Sequence, residues 1–292
     1  MAKTILSIKN LTKYYGKTLA VKDLSLDLVE GEIFGFIGPN GAGKSTTIRS
    51  VMNLINKTEG SVSFLGEPLD KNSIALKKQI GYLPSDINLY DDMTVSDILT
   101  FHEGFYDSDK VSEKRKNLVA RLNLDESKKI EDLSLGNRKK LGIVLALMHS
   151  PKLLILDEAT SGLDPIMQQE FYSILLEEKK QGTTIFYSTH ILSEISKVCD
   201  RVGIIKDGTL LKVESVKDML KKNFVVVSIE SKQVADIAKV LKVTLDKEST
   251  NFIKFKFEGS ASDLVKKLSK FSLDSILIEE ASLDEMFLHY YR

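Results

Sequence analysis

The 292-residue chain carries one cysteine, five prolines and no tryptophan. Its single thiol, Cys199, can neither close an internal disulfide nor build a cysteine zinc site, which fits a reducing compartment. Lys+Arg and Asp+Glu both number 41, so no net basic field exists to draw in nucleic acid. The longest apolar run, Ile143–Met148, is far too short for a membrane span. Met1 to Leu11 alternates rather than forming a charged-then-apolar leader, and a cytoplasmic location is expected. What remains is an ordinary globular composition, 28% charged and 42% hydrophobic, long enough for one large domain and a smaller one.

The most informative residues are Gly38-Pro39-Asn40-Gly41-Ala42-Gly43-Lys44-Ser45-Thr46, which match G-x-x-x-x-G-K-[ST]. Ile33-Phe34-Gly35-Phe36-Ile37 ahead of them reads as a buried strand. Ile48, Val51, Met52 and Ile55 behind them carry the spacing of an amphipathic helix. In that context the glycines let backbone N–H groups close on an anion, and the helix N-terminus adds partial positive charge. Lys44 can reach the β- and γ-phosphates and the Ser45 hydroxyl can ligate Mg²⁺. A bound nucleoside triphosphate is the expectation.

Leu24, Leu26 and Leu28 alternate with polar residues up to the Glu30-Gly31 turn; with Ile5–Lys9 they predict a small antiparallel sheet. From Asp86 to about Lys152 the chain reads as mostly helical, with Thr94 and Ser96 as candidate N-caps. Strands then return at Leu153–Leu156, Thr184–Tyr187 and Val202–Ile205, with a helix over Gln168–Lys180, which predicts a parallel sheet. After Ser215 the pattern resets. Alternation at Val225/Val227/Ile229 and Ile253/Phe255/Phe257, two helical stripes and a last helix through Leu283, Met286, Phe287 and Tyr290 predict a β-α-β-α-β-α tail. The expected division is residues 1–215, with the helical part at about 86–152, and residues 216–292.

Leu153-Leu154-Ile155-Leu156-Asp157-Glu158 is an aliphatic strand ending in two acids. The carboxyl edge of such a strand is where ligands sit in open α/β sheets. Asp157 is placed to hold Mg²⁺ and Glu158 to orient or deprotonate an attacking water. Leu133-Ser134-Leu135-Gly136-Asn137 precedes a helical stripe; on physical grounds alone it reads first as a serine N-cap and second as an anion site.

These motifs, with Ser161-Gly162-Leu163-Asp164 and Ser188-Thr189-His190 following in order, resemble those of the ATP-binding-cassette (ABC) ATPases over about residues 3–213. The ending Ala281–Tyr290 looks like the subfamily that drives separate ABC-2-type export permeases. The resemblance implies an α/β P-loop NTPase core of RecA-like type, with an N-terminal antiparallel β-subdomain, a helical signature subdomain and a small α/β C-terminal domain. It implies a Mg²⁺-dependent ATPase that pairs, as a homodimer or with a paralogue, around two ATP molecules at the inner face of the cell membrane. It assigns Tyr15 to adenine stacking, with an exposed strand aromatic as the other reading. It gives Ser134 and Gly136 to the γ-phosphate held by the other subunit, Asp164 to the dimer seam, and His190 to a γ-phosphate hydrogen bond. His102, His149 and His289 are read as structural.

Two departures stand out. Gly81-Tyr82-Leu83-Pro84 is followed by Ser85 where the family has glutamine, so the usual link between metal and permease is weakened. Leu135 and Asn137 replace the family's glycine and glutamine in the signature. Leu89, Tyr90, Phe101, Phe105 and Tyr106 offer a groove for a permease helix, although most are expected to form the helical segment's own core. DNA-repair cassette ATPases insert long coiled coils between phosphate loop and signature, and only about a hundred residues without sustained heptads separate them here. Ribosome-associated cassette proteins need two cassettes per chain. A regulatory cassette with little turnover is the remaining alternative.

Overall fold

Apolar runs and glycine turns set the order of elements in the computed structural model, which describes residues 3–106, 109–220, 224–241, 243, 245–259 and 261–280. β1 (Thr4–Tyr15) and β2 (Thr18–Val29) form a long antiparallel hairpin turning at Gly16, where φ is 59°. β3 (Ile33–Ile37) runs through the glycine loop into α1 (Lys44–Val51). β4 (Glu59–Phe64) and β5 (Glu67–Pro68) return to the first sheet, and α2 (Ile74–Lys77) precedes β6 (Ile80–Leu83). The middle third holds α3 (Val95–Glu103), α4 (Asp109–Arg121) and α5 (Leu135–Leu147). Alternation then resumes through β7 (Leu153–Asp157), α6 (Pro165–Lys180), β8 (Thr184–Thr189), α7 (Leu192–Val198), β9 (Arg201–Lys206) and β10 (Thr209–Ser215). After α8 (Val216–Leu220) come β11 (Phe224–Glu230), α9 (Val234–Leu241), β12 (Leu245–Ser249), β13 (Phe252–Glu258), α10 (Ala261–Leu268) and β14 (Ser275–Glu280).

The chain forms two compact units, Met1–Val216 and Lys217–Arg292. In the first, an antiparallel sheet of order β2-β1-β4-β5 accompanies a six-stranded sheet of order β10-β9-β3-β8-β7-β6. β3, β7 and β8 are buried at every residue, so both faces of the larger sheet are covered. Each aliphatic side chain so enclosed stabilises the fold by about 1.5–3 kcal/mol, which is why these strands show no alternation. All neighbours from β9 to β6 run parallel, and only β10 is antiparallel. Register aligns Ile37 with Thr189 and Asp157 with Ser188. The loops after β3, β7 and β8 therefore leave one carboxyl edge together. That edge carries the site.

The structure corrects several local expectations. α1 stops at Val51, leaving Ile55 outside it, because Asn53 takes a left-handed φ of 54° and donates its side-chain amide to Leu69 O at 2.9 Å. Thr94 alone caps α3, in a reciprocal box with Asp97; the Ser96 backbone instead donates to Glu126 O. The middle aromatics are mostly not core: Tyr90 is 67% exposed, Phe101 59% and Phe105 49%. α3 turns Val95, Ile98 and Leu99 inward, so Phe101 faces out and meets Phe105 edge-on at 5.1 Å. Tyr106 stacks on His149 at 4.5 Å, and His102 lies 6.0 Å from His149, consistent with structural roles for both histidines.

In the second unit the strands form one antiparallel sheet of order β12-β13-β11-β14. Ile237 and Leu241 of α9 and Leu264 and Leu268 of α10 share a core with Val227, Ile229, Ile253 and Phe255. The described order is β-α-β-β-α-β, one strand more than the sequence pattern predicts before the second helix. β12 reads Leu-Asp-Lys-Glu-Ser, and a single apolar residue gives no alternation to detect. The expected final helix, with His289, lies outside the described residues.

Candidate functional site

The loop between β3 and α1 is built where side chains would not fit. A Cβ on Gly38 would lie 2.4 Å from Ile205 O. Gly43 combines φ 102° with a would-be Cβ 2.7 Å from Ala20 O, so only glycine is unstrained there. The Ala42 N–H donates to Pro39 O at 3.1 Å, while Pro39, Asn40 and Gly41 form an exposed rim. Ser45 and Thr46 occupy the first turn of α1.

Lys44 is buried, and its Nζ donates to Gly38 O at 2.8 Å and Pro39 O at 3.2 Å. It lies 3.6 Å from Glu158 Oε1. Burial pushes its pKa down, and the Glu158 carboxylate opposes that shift. Asp157 is fully buried, and its Oδ1 accepts from Ser188 Oγ at 3.1 Å. Its Oδ2 is buried without a hydrogen-bond partner. Burial raises the Asp157 pKa, and the neighbouring Ser45 and Ser188 hydroxyls oppose that rise. Glu158, one residue on, takes φ 51° while its N–H donates to Ser188 O at 3.0 Å. That turn aims the carboxylate at His190, whose Nδ1 is 3.2 Å from Oε1. Loop, cation, two acids and imidazole thus form one connected set. It can hold a chain of phosphates, collect oxygen ligands for a hard cation, and present a carboxylate to water.

Two other predicted groups stand apart. Ser134 caps α5 by accepting from the Asn137 N–H at 3.3 Å, as the first reading of that segment expected. A Cβ on Gly136 would sit 2.9 Å from Gly162 O, so the start of α5 packs on the loop that ends at Asp164. Asp164 in turn caps α6 through the Ile166 and Met167 N–H groups, both at 3.0 Å. Tyr15 is exposed near the tip of the β1–β2 hairpin, with Lys13 Nζ 4.8 Å above its ring. Ala20 of that hairpin borders Gly43, which places the tip within a few residues of the phosphate loop.

The sequence of residues 21–161 matches the ABC transporter family. An uncharacterised ABC transporter ATP-binding protein of Methanocaldococcus jannaschii is 33% identical over 95% of this chain and 100% of its own length. The chain belongs to the ABC transporter ATP-binding family. It is an ATP-binding, ATP-hydrolysing subunit of an ABC transporter. The bacitracin transport ATP-binding protein BcrA of Bacillus licheniformis is 39% identical over 75% of this chain and 72% of that protein. A solved ATP-binding subunit of an ABC transporter superposes with a TM-score of 0.70 at 28% identity, over 74% of this chain and 92% of that one. The P-loop NTPase core expected of an ABC ATPase is the fold observed.

Two side chains of this ABC ATPase escaped the sequence reading. Lys139, on α5, is 1% exposed and donates to Ser85 O at 2.9 Å, Glu158 O at 3.3 Å and Pro84 O at 3.4 Å. Its ammonium therefore ties the loop holding Ser85 to the end of β7. Lys140 beside it is half-buried, and composition alone does not separate the two. Glu194, on α7, is likewise buried, and its partners include Thr160, 34 residues away. Its position beside Ile195 and Val198 on the inner face of α7 is the one signal the sequence offers.

Proposed function

We propose that this ATPase works as half of a pair that closes around two ATP molecules and drives an ABC-2-type export permease on a separate chain. The observation that carries this reading is that Ser134 caps its own helix through the Asn137 N–H and, among the described residues, no hydrogen bond joins it to Lys44, Glu158 or His190. Ser134 and Leu135 are exposed beside the Gly162 loop, which leaves Ser134 open to a γ-phosphate brought by a second cassette. Leu135 and Ile166, 65% and 77% exposed, flank that seam with apolar surface. The partner is a second copy or a paralogous ATPase. The exposed Tyr90, Phe101 and Phe105 support a docking face for a short permease helix. Attachment to the inner face of the cell membrane through that permease belongs to the same reading, as does the bacitracin transport named for the Bacillus relative.

Within the site, Lys44 and the loop N–H groups bind phosphates and Glu158 polarises the attacking water. His190 donates to the γ-phosphate. The orphaned Asp157 Oδ2 beside Ser45 fits Mg²⁺, a hard cation that takes oxygen ligands. Among the described residues no cluster of three or more acidic, histidine or cysteine side chains could hold a metal. Mg²⁺ here would share oxygens with the nucleotide, and when bound it neutralises phosphate charge. Ser85 would meet such a cation through a bound water, and Lys139 holds the Ser85 carbonyl. The pairing is tested by light scattering: with ATP, Glu158→Gln should dimerise, and adding Ser134→Arg should abolish the dimer.

The adenine role of Tyr15 predicts that Tyr15→Ala weakens ATP binding by roughly 1–2 kcal/mol, the scale of base stacking on an aromatic. Titration calorimetry showing that loss at Tyr14→Ala instead would move the role to Tyr14. The second unit, from about residue 216, stabilises pairing or regulates the cassette without binding nucleotide. A chain ending at Ser215 should keep its ATP affinity. Loss of binding by a soluble, folded truncation would overturn that division.

A further inference from the structure

One buried acid has no part in the chemistry described so far. Glu194 is 2% exposed, yet both of its oxygens are saturated by the hydroxyls of four residues. Oε1 accepts from Thr160, in the turn after Glu158, and from Tyr172 of α6 at 3.3 Å. Oε2 accepts from Tyr187 at 2.8 Å and from Thr189 at 2.5 Å, both on β8. Thr189 immediately precedes His190. Its hydroxyl donates to Glu194 and at the same time accepts from the Ile191 N–H at 3.0 Å. One side chain thus clamps the backbone on both sides of His190, and Glu194 anchors the clamp.

We propose that Glu194 is a positioning residue for ATP hydrolysis, fixing His190 through Thr189 and tying that loop through Thr160 to the turn that carries Glu158. Burial first, and then the negative charge of Glu194, pushes the Tyr187 and Tyr172 phenols up, so both remain protonated donors. A carboxylate suits this junction because it is acceptor-only: with four donors around it, each hydroxyl has a single orientation. An amide in its place brings two donors of its own, and Tyr187 or Thr189 must turn away. The Ile191 N–H would then lose an oriented acceptor, and the imidazole would be free to leave the 3.2 Å approach to Glu158. The inference rests on the reading of His190 as a γ-phosphate ligand, and the experiment separates the two.

Steady-state hydrolysis and ATP binding are measured for Glu194→Gln, Thr189→Val, Tyr172→Phe, His190→Ala and the Glu194→Gln/His190→Ala pair, with thermal unfolding alongside. Outer-shell partners that orient a reactive group typically carry about ten- to hundredfold in activity. Glu194→Gln and Thr189→Val should each lower kcat on that scale with ATP affinity unchanged. Tyr172→Phe removes the 3.3 Å bond to Oε1 and leaves both bonds to Oε2 in place, so it should lower kcat less than Thr189→Val does. The double variant should be no slower than His190→Ala, since residues acting as one unit are not additive. Multiplicative loss in the double variant would overturn the coupling. So would a wild-type kcat for Thr189→Val, which is the decisive result should Glu194→Gln fail to fold. A wild-type kcat for His190→Ala would instead sink the reading of His190 itself.

Discussion

Glu158→Gln should bind ATP at least as well as the parent while hydrolysing it about 10²–10⁴-fold more slowly, the usual weight of a positioned general base. The amide keeps the length of the side chain and a hydrogen bond with His190, but loses the basic oxygen that polarises water. In the parent, Glu158 Oε1 sits 3.6 Å from Lys44 Nζ and competes with phosphate for that cation. Neutralising it leaves Lys44 to the nucleotide and removes a negative charge from beside the γ-phosphate, so binding is not expected to fall. Uncleaved ATP should then hold two cassettes together through both signature loops. Light scattering should give a monomer without nucleotide and a dimer with ATP for this variant alone. Ser134→Arg in the same chain puts a bulky side chain at the seam and should restore the monomer. Should Glu158→Gln turn over ATP at the parental rate, Glu158 is not the base. A dimer that survives Ser134→Arg would mean that the pair closes elsewhere.

The phosphate loop was legible because its chemistry is local: glycine spacing, a lysine and two flanking elements all lie within about twenty-five residues. β3 and β7 were legible because burial on both faces leaves almost wholly apolar runs, and β8 because Ile185-Phe186-Tyr187 forms a short apolar, aromatic core between hydroxyl residues. Strand–helix alternation implied a parallel sheet but not its order, and it is the order, with β3 beside β8 and β8 beside β7, that brings Asp157 and His190 to the loop. What sequence periodicity misses is contact made across long separations. Glu194 meets Thr160 over 34 residues, and Lys139 meets Ser85 over 54, with no local pattern to mark either. The exposed aromatics failed for a related reason. Phe101 is on the last turn of α3 and Phe105 just beyond its end, and hydrophobicity does not tell a core stripe from a surface one. β12 failed because its neighbours, not its own residues, make it a strand.

Lys44→Ala should raise the Kd for ATP at least about thirtyfold, given a cost of about 2–5 kcal/mol for truncating one partner of a desolvated charge pair. The phosphates would keep the loop N–H groups and lose the one ammonium in the loop. Among the described residues, the other buried lysine, Lys139, is already engaged and cannot take its place. It is committed to the carbonyls of Pro84, Ser85 and Glu158. Arg substitution should not rescue binding, because a planar guanidinium does not fit an ammonium held between Gly38 O and Pro39 O at 2.8 and 3.2 Å. The fold should survive the change. Burial already disfavours the Lys44 charge, so removing it relieves that penalty while freeing Glu158, which is partly exposed, to meet water. Thermal unfolding without nucleotide should therefore move little, and the stabilisation that ATP gives the parent should vanish. Titration calorimetry supplies the decision. Unchanged affinity in a folded Lys44→Ala chain would mean that nucleotide binds away from this loop; lost affinity with an unchanged unfolding temperature would place the loss in the phosphate contact itself.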